Sequence, residues 1–203
     1  MADQIVGVLS PWLRNARLNR ARPYLHGAVL DYGCGVGALS DSCDPAGYLG
    51  VDIDSESVDV ARANHPQFRF VRETPCTSQQ FDTIVALAVI EHLPNPAELL
   101  TEFRRLLAPG GQIVLTTPHP SLEWAHTLGA KVGLFSPEAS EEHEELIDLQ
   151  RMRELAASAG LVVQRYERFL FGANQLFVLG HDEHGVESKV AELRDTAGNG
   201  RVH

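Results

Sequence analysis

Cysteine is scarce in this chain. Only Cys34, Cys43 and Cys76 are present, with no CxxC pair. An odd number in this spacing is not a disulfide framework, and a reducing cytoplasmic setting is expected. Long apolar runs are missing too. The longest, Ile84 to Ile90, has seven residues, far short of the roughly 20 that cross a bilayer as a helix, so no stable membrane insertion is expected. The opening MADQIVGVLSPWLRNAR has no basic segment followed by an apolar one, which argues against a secretory signal. Nor is there a basic excess: 17 Lys and Arg against 27 Asp and Glu leave a formal net charge of -10. An acidic body repels a phosphate backbone, so nucleic acid is not an expected partner. No internal repeat is visible, and oligomeric state is not legible.

What is present is the material of one globular domain. The chain has 203 residues, 44% of them hydrophobic, enough to bury roughly 70% of the unfolded surface. Apolar spacing at Ile5, Val8, Leu9, Trp12 and Leu13 predicts a helix over residues 5–25, which Pro11 is expected to weaken or split. Then strands alternate with helices. Ala28–Asp31, Tyr48–Asp52, Phe68–Arg72, Phe81–Leu87 and Gln112–Thr117 read as strands. Ser55–Ala63 reads as a helix capped by Asp54 or Ser55. A second helix opens at Asn95-Pro96, with Asn95 as the capping side chain and Leu99, Leu100, Phe103, Leu106 and Leu107 as the core stripe. Pro109-Gly110-Gly111 is expected to stop it.

The rhythm changes after Thr117. Residues 118–147 carry three prolines, three histidines and an acidic run, Glu141, Glu142, Glu144 and Glu145, and read as an inserted substrate-side segment whose acidic run is a solvated face. Asp148–Ala159 reads as a helix ended by Gly160. Leu161–Phe169 and Gln175–Leu179 follow as two strands with no helix between them. The pattern predicts a Rossmann-like, doubly wound α/β sheet, mostly parallel, with an antiparallel hairpin at its C-terminal end. The expected division is one domain over 1–180, with a helical cap at 1–25, and a polar tail at 181–203.

The sharpest local signal is Leu30-Asp31-Tyr32-Gly33-Cys34-Gly35-Val36-Gly37, a strand running into a turn with glycine at alternate positions. Glycine is required where backbone takes positive φ or approaches a ligand closely. Asp52 stands nineteen residues after Gly33, at the end of the second strand, where a carboxylate can accept from both hydroxyls of a ribose. Gly33-x-Gly35-x-x-Ala38 also satisfies the loose dinucleotide fingerprint. Two features tilt the balance away from a dinucleotide. Asp31 suits an ammonium and disfavours a pyrophosphate, and the C-terminal antiparallel pair departs from a standard dinucleotide sheet.

Three blocks in order, LDYGCGVG, GVDID and FDTIVALAVIEHLPNPAELLTEFRRLLAPGGQIVLTTP, resemble the class I S-adenosylmethionine-dependent methyltransferases of the methyltransferase type 11 group. That group includes quinone-biosynthesis enzymes and many enzymes of polysaccharide gene clusters. The resemblance covers about residues 25–120, more loosely to 180. It implies that Asp31, Gly33, Cys34, Gly35 and Gly37 hold the methionine part of S-adenosylmethionine. It also implies that Asp52 holds the ribose, Ile53 packs on the adenine, Glu73 meets the adenine amine, and Ala86 and Leu87 line the cofactor near its sulfonium. A small-molecule acceptor is implied, either a hydroxyl of a sugar or glycan-lipid or one of a quinone or phenol type. An NAD(P)-dependent oxidoreductase and a non-catalytic methyltransferase-like binding module are the alternatives.

A base helps when the acceptor is a hydroxyl. His92, in Glu91-His92-Leu93, and His119, after the fifth strand, both stand at the ligand edge of the sheet, and His143 lies in the inserted segment. These three are the candidates. His119, Glu123 and His126 have spacing that could place them on one helix face for a divalent metal, but Pro120 interrupts the set and no metal site is expected. Arg14, Arg17, Arg20 and Arg22 form a basic cluster near the N-terminus, read as solvated and paired with the acidic body.

Overall fold

A computed structural model describes residues 2–74, 79–120 and 147–182, with side chains described from residue 11 onward. Helix α1 spans Ala2–Ala21 and is followed by a short 3-10 turn, Arg22–Tyr24. It runs unbroken through Pro11, contrary to the expected split. Pro11 is exposed, and on that side water can take the carbonyl that loses its donor. Then come β1 (Val29–Tyr32), β2 (Tyr48–Val51), α2 (Ser55–Asn64), β3 (Arg69–Val71), β4 (Phe81–Leu87), α3 (Pro96–Leu106), β5 (Leu107–Pro118), α4 (Leu149–Ser158), β6 (Leu161–Phe169) and β7 (Asn174–His181).

The seven strands form one sheet in the order β3-β2-β1-β4-β5-β7-β6. The first five pair in parallel, while β7 is antiparallel to both β5 and β6. Alternate side chains of each strand serve opposite faces. On one face, Leu18 and Ala21 of α1 and Val58 and Ala61 of α2 pack on Val29, Val85, Val114, Leu176 and Val178. On the other, Leu99, Leu100, Phe103 and Leu106 of α3 and Met152, Leu155 and Ala156 of α4 pack on Leu30, Ile84, Ile113, Leu115 and Phe177. The doubly wound sheet with its antiparallel C-terminal pair is therefore the fold that the alternating pattern predicted.

Several boundaries differ for identifiable reasons. Asp54 caps α2, accepting from the backbone N–H of Glu56 and Ser57. Asn95 makes no such bond, and Pro96 alone starts α3. Leu107 is buried as expected, but it pairs with Phe81 as the first residue of β5 and does not continue the helix. The register then jumps to Thr83 opposite Gln112, because Pro109-Gly110-Gly111 loops out, with Gly110 at φ +74°. The polar tail from residue 183, Cys76, and residues 121–146 of the inserted segment, including His143, Glu123, His126 and the acidic run, lie outside the described residues.

Candidate active site

The strand order reverses between β1 and β4. In a doubly wound sheet the ligand crevice opens at the carboxyl ends of the strands beside such a switch point. The glycine turn stands there. Gly33, Gly35 and Gly37 all have positive φ, +75°, +52° and +81°, so the alternation of glycines is a backbone requirement. The turn hangs from β2: the N–H groups of Gly33 and Cys34 both donate to the Val51 carbonyl, at 2.8 and 3.0 Å. A Cβ on Gly33 would strike Val89, and one on Gly37 would strike the Phe70 ring, at 2.4 and 2.7 Å. On Gly35 it would meet nothing within 4 Å. Gly35 therefore borders open space, as a cradle for a ligand must.

Asp52 ties the turn to the next strand. Its Oδ2 accepts from the Gly35 N–H at 2.7 Å and its Oδ1 from the Asp54 N–H at 3.0 Å. A carboxylate has about four acceptor positions, so room remains for hydroxyl donors. Ile53 beside it is an apolar side chain left 87% exposed at the crevice rim. Glu73, two residues past β3, is exposed on the same edge.

Asp31 lies deeper than the sequence suggests. It is only 4% exposed, and its Oδ2 accepts a 2.7 Å hydrogen bond from the Tyr48 hydroxyl. Burial, helped by the nearby charge of Asp52 and opposed by the Tyr48 hydrogen bond, pushes its pKa up to about 7. Cys34 is buried with its thiol pushed upward, first by burial and then by Asp31 and Asp52, so it is no nucleophile. Ala86 is wholly buried in the core on the α3/α4 side. Leu87 is half-buried, and Ala88 after it has φ +58° and donates to the Thr116 carbonyl at 2.8 Å. At this strand end it is Leu87 and Ala88, not Ala86, that present surface. A left-handed alanine is uncommon and costs about 1 kcal/mol or more, and nothing in the local sequence marked it.

The histidines that the sequence offered as bases follow the ends of β4 and β5. His92 ends the short turn Ile90–His92 and is exposed. His119 follows β5, and its N–H donates to the Ala173 carbonyl at 2.9 Å. Its ring Nδ1 lies 3.3 Å from Arg168 Nη2. His119 and His92 thus come to the same edge of the sheet.

Arg17 is the residue that the sequence did not single out from its neighbours. Its Nε donates to Asn174 Oδ1 at 2.9 Å, and buried Glu91 attracts it. Its terminal nitrogens make no hydrogen bond among the described residues. Of the other three, Arg20 pairs with Glu167 at 3.4 Å, as expected of a surface cation, exposed Arg22 donates to the neutral Ser42 and Asn19, and Arg14 is exposed. Among the described residues no cluster of three His, Cys, Asp or Glu side chains could hold a metal, and no helix is long and apolar enough to cross a membrane.

Comparison with known proteins places this arrangement. Residues 10–166 match the family model Methyltransf_23, a methyltransferase domain. The chain is 30% identical over 174 residues to a ubiquinone biosynthesis O-methyltransferase of Actinobacillus pleuropneumoniae, covering 76% of this chain and 74% of that protein. It is 27% identical over 150 residues to the enzyme of the same name from Aeromonas salmonicida, covering 67% of this chain and 63% of the relative. It therefore spans about two-thirds of the length of such relatives. Among solved structures, an S-adenosylmethionine-dependent methyltransferase from Clostridium acetobutylicum shares the fold with a TM-score of 0.61 at 11% identity, over 89% of this chain and 90% of that one. Magnesium protoporphyrin IX methyltransferase from Synechocystis, with bound S-adenosylhomocysteine, does so with a TM-score of 0.58 at 19% identity, over 89% and 83%. With its glycine turn, its reversed strand order and a family match over most of its length, the chain belongs to the methyltransferase-domain family, the class I S-adenosylmethionine-dependent methyltransferases.

Proposed function

We propose that this protein transfers the methyl group of S-adenosylmethionine to a hydroxyl of a phenol- or quinone-type small molecule. The observation that carries the cofactor half is the turn at Gly33–Gly37: three left-handed glycines, one bordering open space, held by Asp52 at the switch point. The acceptor half rests on the relatives, whose names specify O-methylation in ubiquinone biosynthesis.

The residues present fit the cofactor. Asp31 sets a buried carboxyl beneath the turn, whose charged form the methionine ammonium would stabilise. Arg17, with two nitrogens uncommitted among the described residues, is the cation for the methionine carboxylate, since a guanidinium fork matches that group. The backbone of Gly33, Cys34 and Gly35 lets the amino-acid portion come close, and Gly37 closes the turn against Phe70. Asp52 would accept from the ribose hydroxyls, Ile53 would cover the adenine face, and Glu73 is the acceptor for the adenine amine. Leu87 and Ala88, with Ala86 behind them in the core, wall the crevice near the sulfonium.

When bound, the cofactor supplies an electrophilic methyl on a cationic sulfur. What remains for the chain is to hold the acceptor oxygen in line and to keep water away, and positioning of this kind can contribute about 7–11 kcal/mol. His92 and His119 are the two described histidines past the ends of β4 and β5, and an imidazole can accept or donate a proton there.

The test is direct. The purified protein is incubated with S-adenosylmethionine and a panel of catechols, hydroxyquinones and sugars, and products are read by mass spectrometry. Gain of one methyl on a phenolic oxygen supports the proposal. Thermal stabilisation by NAD(H) but not by S-adenosylhomocysteine overturns the cofactor half.

A further inference from the structure

We propose that His119 is a hydrogen-bond donor, through Nε2–H, to the reacting oxygen of the acceptor, and that Arg168 holds it in that tautomer; this rests on the acceptor class proposed above. A guanidinium carries only donors. Since Arg168 Nη2 lies at hydrogen-bond distance from His119 Nδ1, 3.3 Å away, Nδ1 must supply the lone pair. The proton of the neutral ring is then on Nε2. An imidazole held this way carries its proton on Nε2, where it can donate but cannot act as a base.

The clamp is built by the β6–β7 hairpin. Arg168 Nη2 spends its second N–H on the Gly172 carbonyl at 3.0 Å, which orients the fork toward His119. The His119 backbone is pinned by Ala173, one residue further on. Gly172 has φ +88°, and a Cβ there would lie 2.9 Å from Arg168 Nη2, so glycine keeps the place open. The two residues before it, Leu170 and Phe171, are also left-handed, at φ +53° and +56°. Such conformations cost about 1 kcal/mol or more each in non-glycine residues. The hairpin bears that strain at the point where it grips His119.

The charges around the ring agree with the geometry. Burial and the Arg168 charge hold the His119 pKa below its ordinary value, while Asp148, before α4, pulls the other way. The ring is thus neutral near pH 7. An N–H backed by a guanidinium stabilises a phenolate better than a phenol, because hydrogen bonds to charged acceptors are stronger. The acceptor hydroxyl accordingly loses its proton to solvent. The phenolate oxygen forms the new O–C bond as the S–C bond breaks, and that bond's electron pair stays on sulfur.

Nitrogen-15 spectra of the histidine rings, together with kinetics on catechol, test this. A protonated Nε2 and an unprotonated Nδ1 at His119 are expected, and Arg168→Leu should let the tautomers mix. His119→Ala should lower kcat/KM for catechol by about tenfold or more. His119→Gln, whose amide still donates, should restore most of that loss. A proton on Nδ1, or a Gln variant as slow as the Ala variant, overturns the assignment in favour of a base. Should catechol not be methylated at all while S-adenosylhomocysteine still binds, the acceptor class fails, and the ring spectrum alone decides His119: Nε2–H keeps it a donor, Nδ1–H overturns it.

Discussion

Tyr48 donates its hydroxyl to Asp31 across the pair β1–β2, at 2.7 Å, beneath the turn that faces the crevice. The carboxylate is buried, so its charge is costly until a cation arrives. Its folded pKa, about 7, lies above the usual carboxylate value near 4. Between those pH values the native state holds a proton that the unfolded chain has released. The Asp31 contribution to stability is therefore full below about pH 4, falls as pH rises through that window, and is flat above about pH 7. Asp31→Asn, which still accepts from Tyr48, should remove that slope and melt higher than the wild type at about pH 8. It should also bind S-adenosylhomocysteine about tenfold more weakly, through loss of the partner for the ammonium. Melting curves across this range and a binding titration check both halves.

Gly35 and Gly37 separate binding from folding. Gly35→Ala adds a methyl into space that is open in the structure, so its fold should survive with a loss of about 1 kcal/mol from positive φ. Cofactor affinity should fall by far more than that. Gly37→Ala drives into the Phe70 ring and should cost stability first. Comparing urea midpoints with titrated affinities for the two variants distinguishes these effects. A Gly35→Ala protein that binds normally would remove the cradle.

Asp52→Ala deletes the acceptor for the Gly35 N–H and the proposed ribose contact together. A loss of tenfold or more in S-adenosylhomocysteine affinity is expected, because charge-assisted bonds are the strong ones. Isothermal titration is the measurement.

Arg17→Ala should weaken S-adenosylhomocysteine but leave methylthioadenosine, which lacks the amino-acid carboxylate, nearly unaffected. Equal losses for both ligands would assign Arg17 to packing against Asn174 and Glu91 only.

The strain in the β6–β7 turn is measurable as stability. Phe171→Gly relieves a left-handed φ at a fully exposed side chain and should raise stability by about 1 kcal/mol. Chemical denaturation reads this, and a destabilised variant would show that the ring makes contacts worth more than the strain.

The sheet was legible because its signals are local and repeated. Val85 and Ala86 lie in a run apolar on both faces, Gly33, Gly35 and Gly37 follow a strand, and Asp54 precedes an amphipathic stretch. Boundaries slipped where tertiary pairing decided them: Leu107 has the apolar character of a helix stripe but is taken by Phe81 of β4. Candidate site positions stood out in the sequence where chemistry and backbone need coincide, as at Gly35 and Asp52, which the fold joins by a hydrogen bond. Arg17 and Arg168 did not, since an arginine on a helix or a strand becomes a candidate only through partners more than a hundred, or about fifty, positions away, here Asn174 and His119. The left-handed Ala88 carries no compositional mark at all.

Because β7 lies between β5 and β6, the chain must finish its last hairpin before β5 gains its second neighbour. A nascent chain with residues 1–120 clear of the ribosome already holds all five parallel strands and the glycine turn, with the β5 margin unprotected. Asn174, which grips Arg17, and Arg168, which grips His119, arrive only afterwards. On the roles proposed above, synthesis would order the two halves: the nucleoside-side residues all precede residue 120, and the partners of Arg17 and His119 follow with the β6–β7 hairpin.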